Sequence, residues 1–133
     1  MTDSIDTNIV LRYILNDIPE QKQQVIKMFS EPNTTHYLSN QAISEVIYVL
    51  ERTYDTPREK IVDAVSFFLT RYDGIVIYDN DLLEIVFPLY LKHPKLSWVD
   101  CALAAEAEVK HHEPLMTFDR KLAAQAPQAK MVK

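Results

Sequence analysis

Glycine is almost missing from this chain: of 133 residues only Gly74 is one. A glycine-rich loop that cradles phosphate is therefore excluded. Hairpin-rich β architecture, whose tight turns lean on glycine, is disfavoured for the same reason. Cysteine is also single, at Cys101, so no intrachain disulfide can form and a cytosolic setting is expected. The segment MTDSIDTN has no apolar stretch of the kind a signal peptide needs, and no apolar run approaches the roughly 18 residues of a membrane span. The expectation is a soluble, cytoplasmic protein with no membrane contact. Basic residues are the minority, 14 against 19 acidic ones, for a net charge of −5. That balance does not by itself indicate a nucleic-acid binder, because phosphate contacts draw on Lys and Arg. A nuclease with this charge needs bound cations or local basic residues to offset it. What the chain does have is 47% hydrophobic residues, enough for one full core, and a length that suits one domain over 1–133.

Periodicity sets out alternating elements. Met1 to Ile5 is a short polar strand candidate. Asn8 to Asn16 reads as a helix, with Ile9, Val10, Tyr13 and Ile14 at helical spacing. Pro19 opens a second helix to about Ser30, which Pro32-Asn33 breaks. Thr35 to Leu38 is a brief strand. Asn40 to Tyr54 is a helix with an apolar stripe of Ile43, Ile47, Leu50 and Tyr54, widened by Val46. Pro57 sits at the start of the next helix, near its first turn, and that helix runs to about Arg71. Ile75 to Tyr78 is the clearest strand. Asp79 to Leu91 is helical, with Pro88 kinking or shortening it. Ser97 to Lys110 is an alanine-rich helix, Leu115 to Thr117 a strand, Asp119 to Ala124 a last helical turn or two, and Lys130 to Val132 a final strand. Such alternation implies an α/β sandwich, a mainly parallel sheet with helices on both faces. Sites in such sheets form outside the carboxyl ends of the strands.

Asp6 and Asp119 each follow a strand and belong near that edge. Each also precedes a helix, where Asp is a preferred N-cap. Ser97-Trp98-Val99-Asp100 fits a capping box. Yet Asp100 shares a face with Leu103, Ala104 and Ala107, and a carboxylate heading such a close-packed face loses solvation unless a cation or donors meet it. Glu45 lies at the border of its helix's apolar arc, and local pattern alone reads it as an ordinary solvated Glu. The set is what carries chemistry: carboxylates converging on one sheet edge repel one another and raise each other's pKa values. A hard divalent cation relieves that repulsion, and Mg²⁺ takes oxygen ligands from one or two carboxylates plus substrate phosphate.

The segment Ser4-Ile5-Asp6-Thr7-Asn8-Ile9-Val10-Leu11 resembles the opening of PIN-domain proteins, VapC-type toxins especially. Ser44-Glu45-Val46 is similar to that family's acidic mid-chain helix. Ser97-Trp98-Val99-Asp100-Cys101-Ala102-Leu103-Ala104-Ala105 resembles its third motif, and Leu115-Met116-Thr117-Phe118-Asp119-Arg120-Lys121-Leu122 its fourth. The motifs fall in family order and span nearly the whole chain. The resemblance implies a PIN-like domain with a parallel sheet of about five strands. It implies Asp6, Glu45, Asp100 and Asp119 as catalytic, metal-binding acids, supported by Asn8 and Thr117. It further implies an endoribonuclease using Mg²⁺ or Mn²⁺ that leaves a 5′-phosphate and a 3′-hydroxyl, and an antitoxin partner. One departure is the polar first strand, where Thr2, Asp3 and Ser4 stand in place of apolar residues; it leaves Asp3 as a rival acid.

Other residues take plainer readings. Asp79 and Asp81 read as a cap and a first-turn charge. His111 and His112, adjacent on a helix, diverge by about 100° and cannot pair on a metal. His36 and His93 lack the partners of a zinc site. Cys101 reads as core; Trp98, Tyr13 and Tyr48 as core or interface. Arg120 is the basic residue named for substrate, with Arg12, Arg52 and Lys121 also to be checked against RNA phosphates. The amphipathic helices Pro19–Ser30 and Pro57–Arg71 suit a hydrophobic groove or a homodimer face. Two competing readings remain: a non-catalytic PIN-like module that binds RNA or protein, and an Asp-phosphorylated α/β protein, for which no Lys follows a strand in the required way.

Overall fold

The computed structural model describes residues 2–133. Seven helices and five strands alternate along them, and the chain divides into two compact units, one reaching to Tyr78 and one from Asp79 to Lys133. The α/β class read from the sequence is the observed one.

The first unit holds β1 (Thr2–Ile5), α1 (Thr7–Ile14), α2 (Pro19–Ser30), β2 (Thr35–Leu38), α3 (Asn40–Arg52), α4 (Arg58–Arg71) and β3 (Ile75–Val76). Its sheet runs β1-β2-β3, parallel throughout. Parallel neighbours cannot be joined by tight turns, so each step crosses over through a pair of helices. The register sets Ile5 opposite Leu38, both buried. Thr2, Asp3 and Ser4 are exposed, which accounts for the polar composition of β1, an edge strand of this sheet. Met1, included in the expected strand, lies outside the described residues.

Behind the sheet, Ile43, Val46, Ile47 and Leu50 bury one stripe of α3. Phe29 of α2 and Phe68 of α4 meet tilted, with ring centroids 5.6 Å apart, and Tyr13 packs on Phe68 at 5.2 Å. Burial, reinforced by neighbouring Tyr72, holds the Tyr13 phenol above its usual range. His36 also points into this core, its ring edge-on to Phe29. Its Nδ1 meets the Asp3 carboxylate of the adjacent strand. Asp3, the rival acid, is thus engaged by a histidine.

One expectation needs correcting here. The strand expected over Ile75–Tyr78 pairs only at Ile75 and Val76. Continued, the register sets Leu38 opposite Ile77 and Ser39 opposite Tyr78; Ser39 already caps α3, so Tyr78 has no residue of β2 to pair with. Pro57, expected at the start of the helix near its first turn, is the N-cap of α4. The single glycine also finds its reason. A Cβ on Gly74 would run into the Thr34 carbonyl oxygen, while the Gly74 carbonyl accepts a 2.7 Å bond from the His36 amide. The approach to β3 fits against the start of β2 only without a side chain.

The second unit holds α5 (Asn80–Lys92), α6 (Trp98–Val109), β4 (Leu115–Thr117), α7 (Arg120–Gln125) and β5 (Ala129–Met131). Here β4 and β5 pair in parallel, Leu115 with Ala129 through Thr117 with Met131. The five expected strands are present and pair in parallel, hydrogen-bonded as a group of three and a group of two. Pro88 does not shorten α5, which continues to Lys92 although the proline has no amide to donate at that position. Buried Cys101, Ala104 and Ala105 form the inner face of α6, and Trp98 lies edge-on to Tyr90 at 5.2 Å. His111 and His112 fall beyond the end of α6, not on it. His111 adopts a left-handed conformation (φ 61°) in the turn that closes the helix. No helix of the described residues is long and apolar enough to cross a membrane.

Candidate metal centre

Asp6 follows β1 directly and is the N-cap of α1, its Oδ1 accepting from the Ile9 amide at 3.2 Å. The cap answers one of the open amides at a helix start, and it leaves the second carboxylate oxygen of Asp6 for other contacts. Glu45 stands on the second turn of α3, exposed. It has no capping task. The Thr7 hydroxyl, 38 residues earlier in the chain, donates to Glu45 Oε2 at 2.7 Å. The two acids line one cleft of about 230 Å³ with Ile5, Thr7, Ser39, Gln41 and Ala42. The carboxyl end of β1 supplies Ile5 and Asp6, and the segment after β2 supplies Ser39 and the start of α3. The site thus lies where parallel α/β sheets place theirs. The solvated-Glu reading of Glu45 misses this, because nothing within α3 predicts a partner on α1. Thr7, which sequence reasoning left without a role, is the residue that ties Glu45 to the start of α1. Its one signal was its place inside Asp6-Thr7-Asn8.

In the second unit, both acids serve their own helices. Ser97 and Asp100 form a reciprocal capping box: Ser97 Oγ accepts from the Asp100 amide at 3.0 Å and Asp100 Oδ2 from the Ser97 amide at 3.3 Å. Asp119 caps α7, its Oδ1 accepting from the Lys121 and Leu122 amides at 2.9 and 3.2 Å. The Thr117 hydroxyl accepts the Asp119 amide at 2.9 Å and so fixes the turn that presents Asp119. Asn8 is exposed on the first turn of α1.

Among the described residues, no three His, Cys, Asp or Glu side chains group as a ready metal cage. Asp6 and Glu45 nonetheless fit a hard cation. Both offer carboxylate oxygen, each has one oxygen outside the hydrogen bonds just described, and Mg²⁺ is commonly held by one or two carboxylates with water and phosphate completing its shell. Of the basic residues, Arg12 is tied to Asp17 at 2.9 Å and Arg52 lies over the exposed Tyr48 ring, 5.7 Å from its centroid. Arg120 and Lys121 are exposed at the head of α7.

The family model for the PIN domain matches residues 4–126. The chain therefore belongs to the PIN-domain family, whose members are generally nucleases and typically depend on divalent metal. Among solved structures, the chain is similar to one described as VapBC2 from Rickettsia felis bound to a DNA fragment from their promoter. That match has 17% identity and a TM-score of 0.41, covering 99% of this chain and 98% of the other. No match is found among curated proteins.

Proposed function

We propose that this PIN domain is a metal-dependent endoribonuclease of the VapC type, acting as the toxin of a type II toxin–antitoxin pair, with Mg²⁺ or Mn²⁺ as cofactor. The observation that carries this reading is the cleft shared by Asp6 and Glu45. Two acids distant in sequence gain nothing in stability from proximity, since like charges repel; a cation gives their meeting a purpose. The sequence resemblance adds Asp100 and Asp119 to the metal set. A bound divalent ion supplies two things: neutralisation of charge on the phosphate, and a lower pKa for an attacking water.

The chain's own residues do the rest. Asp6 is fixed by its cap to Ile9, and Glu45 is fixed by the Thr7 hydroxyl, so neither carboxylate has to be ordered when substrate arrives. Water attacks phosphorus in line. The new oxygen–phosphorus bond forms as the bond to the 3′ oxygen breaks, and that oxygen leaves protonated. The products are a 5′-phosphate and a 3′-hydroxyl. Arg120 at the start of α7 is assigned to the RNA backbone.

Asp6→Asn and Asp100→Asn test the reading directly. At the N-cap position of Asp6, Asn serves nearly as well as Asp, and at Asp100 the carboxamide oxygen of Asn can still accept from the Ser97 amide; both variants are expected to fold, and RNA cleavage with Mg²⁺ to collapse in each. Undiminished cleavage by the folded variants removes the proposal, and a metal titration that shows no binding turns it toward a non-catalytic module. The toxin assignment carries an antitoxin partner and a homodimer, with α2 and α4 as the candidate faces; Phe67 of α4 is 58% exposed. Light scattering that shows only monomer removes the dimer.

A further inference from the structure

Beside Asp6 a second cavity opens, about 360 Å³ in volume, between α1 and α2. Asp6 lines both this cavity and the Glu45 cleft, so an occupant of one lies next to an occupant of the other. Its α2 wall is one helix face, since Gln21, Gln24, Val25 and Met28 recur at helical spacing. Asn8, Ile9 and Arg12 form the α1 wall. The lining thus sets three carboxamides around an apolar floor.

We propose that this cavity receives one nucleobase of the RNA, adenine by preference, beside the phosphate that is cut; the proposal rests on the ribonuclease reading above. The three carboxamides of Asn8, Gln21 and Gln24 carry no side-chain hydrogen bond among the described residues, and each offers a donor and an acceptor on one plane. That pairing matches the N6 donor and N7 acceptor of adenine, which Asn and Gln take as a bidentate pair. Unstacked bases of single-stranded RNA present those edges, and their faces seek apolar cover, which Val25, Met28 and Ile9 provide. The charges point the same way. The one cation of the lining, Arg12, is already held by Asp17 at 2.9 Å, and Asp6 stands at the rim. A free phosphate finds no open cation there, whereas a neutral base meets no penalty. An apolar protein segment would cover the amides without answering them, and a buried unanswered polar group is costly.

The test has two arms. In the first, the intact protein in metal-free buffer is titrated with adenosine 5′-monophosphate and with cytidine 5′-monophosphate, and the side-chain amide resonances of Gln21 and Gln24 are followed by NMR. Saturable shifts with the adenine nucleotide are expected at several-fold lower concentration than with the cytosine one. The Gln21→Ala, Gln24→Ala double variant, which changes two exposed positions to the best helix former, is expected to weaken binding at least tenfold. In the second arm, a randomised RNA is cut with Mg²⁺ and the bases flanking the cut are counted, normalised to each protein's own total cleavage. The wild type is expected to enrich adenine at one flanking position, and the double variant to lose that enrichment. Absence of shifts at these amides overturns the proposal. So does a base preference that the double variant keeps, which hands the cavity to a protein segment instead. Adenine binding by a protein that cuts no RNA sustains the base site and sinks the nuclease reading alone.

Discussion

Asp100 and Asp119 stand at the heads of α6 and α7, Asp100 accepting from the amide of the N-cap Ser97 and Asp119 from the first-turn amides of α7. Asp6 does the same for α1, but Glu45 sits within α3, where its bond comes from Thr7 on another helix. The two units thus use their acids differently. In the second unit, local structure alone explains both carboxylates. In the first, it explains one and leaves the other without a local reason. An acid that serves no cap, yet is held by a residue distant in sequence beside a second acid, points to a ligand more strongly than any capping aspartate, because caps are common for reasons unrelated to chemistry.

The largest expected effect breaks or upholds that contrast. Glu45→Gln keeps the size of the side chain and leaves α3 intact, so its melting temperature stays close to that of the wild type. Its Mg²⁺-dependent RNA cleavage falls on the order of 100-fold or more, as loss of a carboxylate that holds a catalytic metal implies. Activity within a factor of two of wild type would make Glu45 an ordinary surface acid. Next comes Gly74→Ala, which tests how tightly the first unit's sheet is set. The new methyl meets the Thr34 carbonyl, and a destabilisation of about 1–3 kcal/mol is expected in denaturant unfolding.

Third, Asp119→Ala removes both amide contacts of the α7 cap and costs about 1 kcal/mol, whereas Asp119→Asn costs little. If the assignment of Asp119 to the metal set is right, both variants lose cleavage while only the alanine variant loses stability. Equal behaviour in both assays would merge the two roles. The smallest effect concerns Tyr13. Burial raises its folded pKa above the ordinary phenol value of about 10, so the folded protein holds the phenolic proton more firmly than the unfolded chain. The associated stability is full below pH 10 and falls as pH rises through the folded value. Tyr13→Phe is expected to flatten the decline of melting temperature above pH 10; an unchanged slope would show that Tyr13 does not govern it.

Much of this molecule was legible in its sequence. Helix positions follow from apolar spacing, and the capping box at Ser97 and Asp100 could be read from four consecutive residues, because those signals arise within one turn of chain. The acids followed from the family motifs, which lie in local segments. What could not be read depends on pairing partners remote in sequence. The exclusion of Tyr78 from β3 was set by where β2 ends. The engagement of Asp3 was set by a histidine on the neighbouring strand. The role of Gly74 was set by a carbonyl forty residues earlier in the chain.

The sequence by itself determined the α/β alternation, the helix caps and the identity of the candidate acids, since each is encoded within a few residues of backbone. Tertiary structure alone decided that Thr7 holds Glu45, that Glu45 shares a cleft with Asp6, and that the carboxamides of α2 face Asn8 across a cavity. Those facts depend on how parallel strands cross over and in what register they pair. Register is fixed by which side chains the assembled core buries, and no short stretch of sequence carries that information.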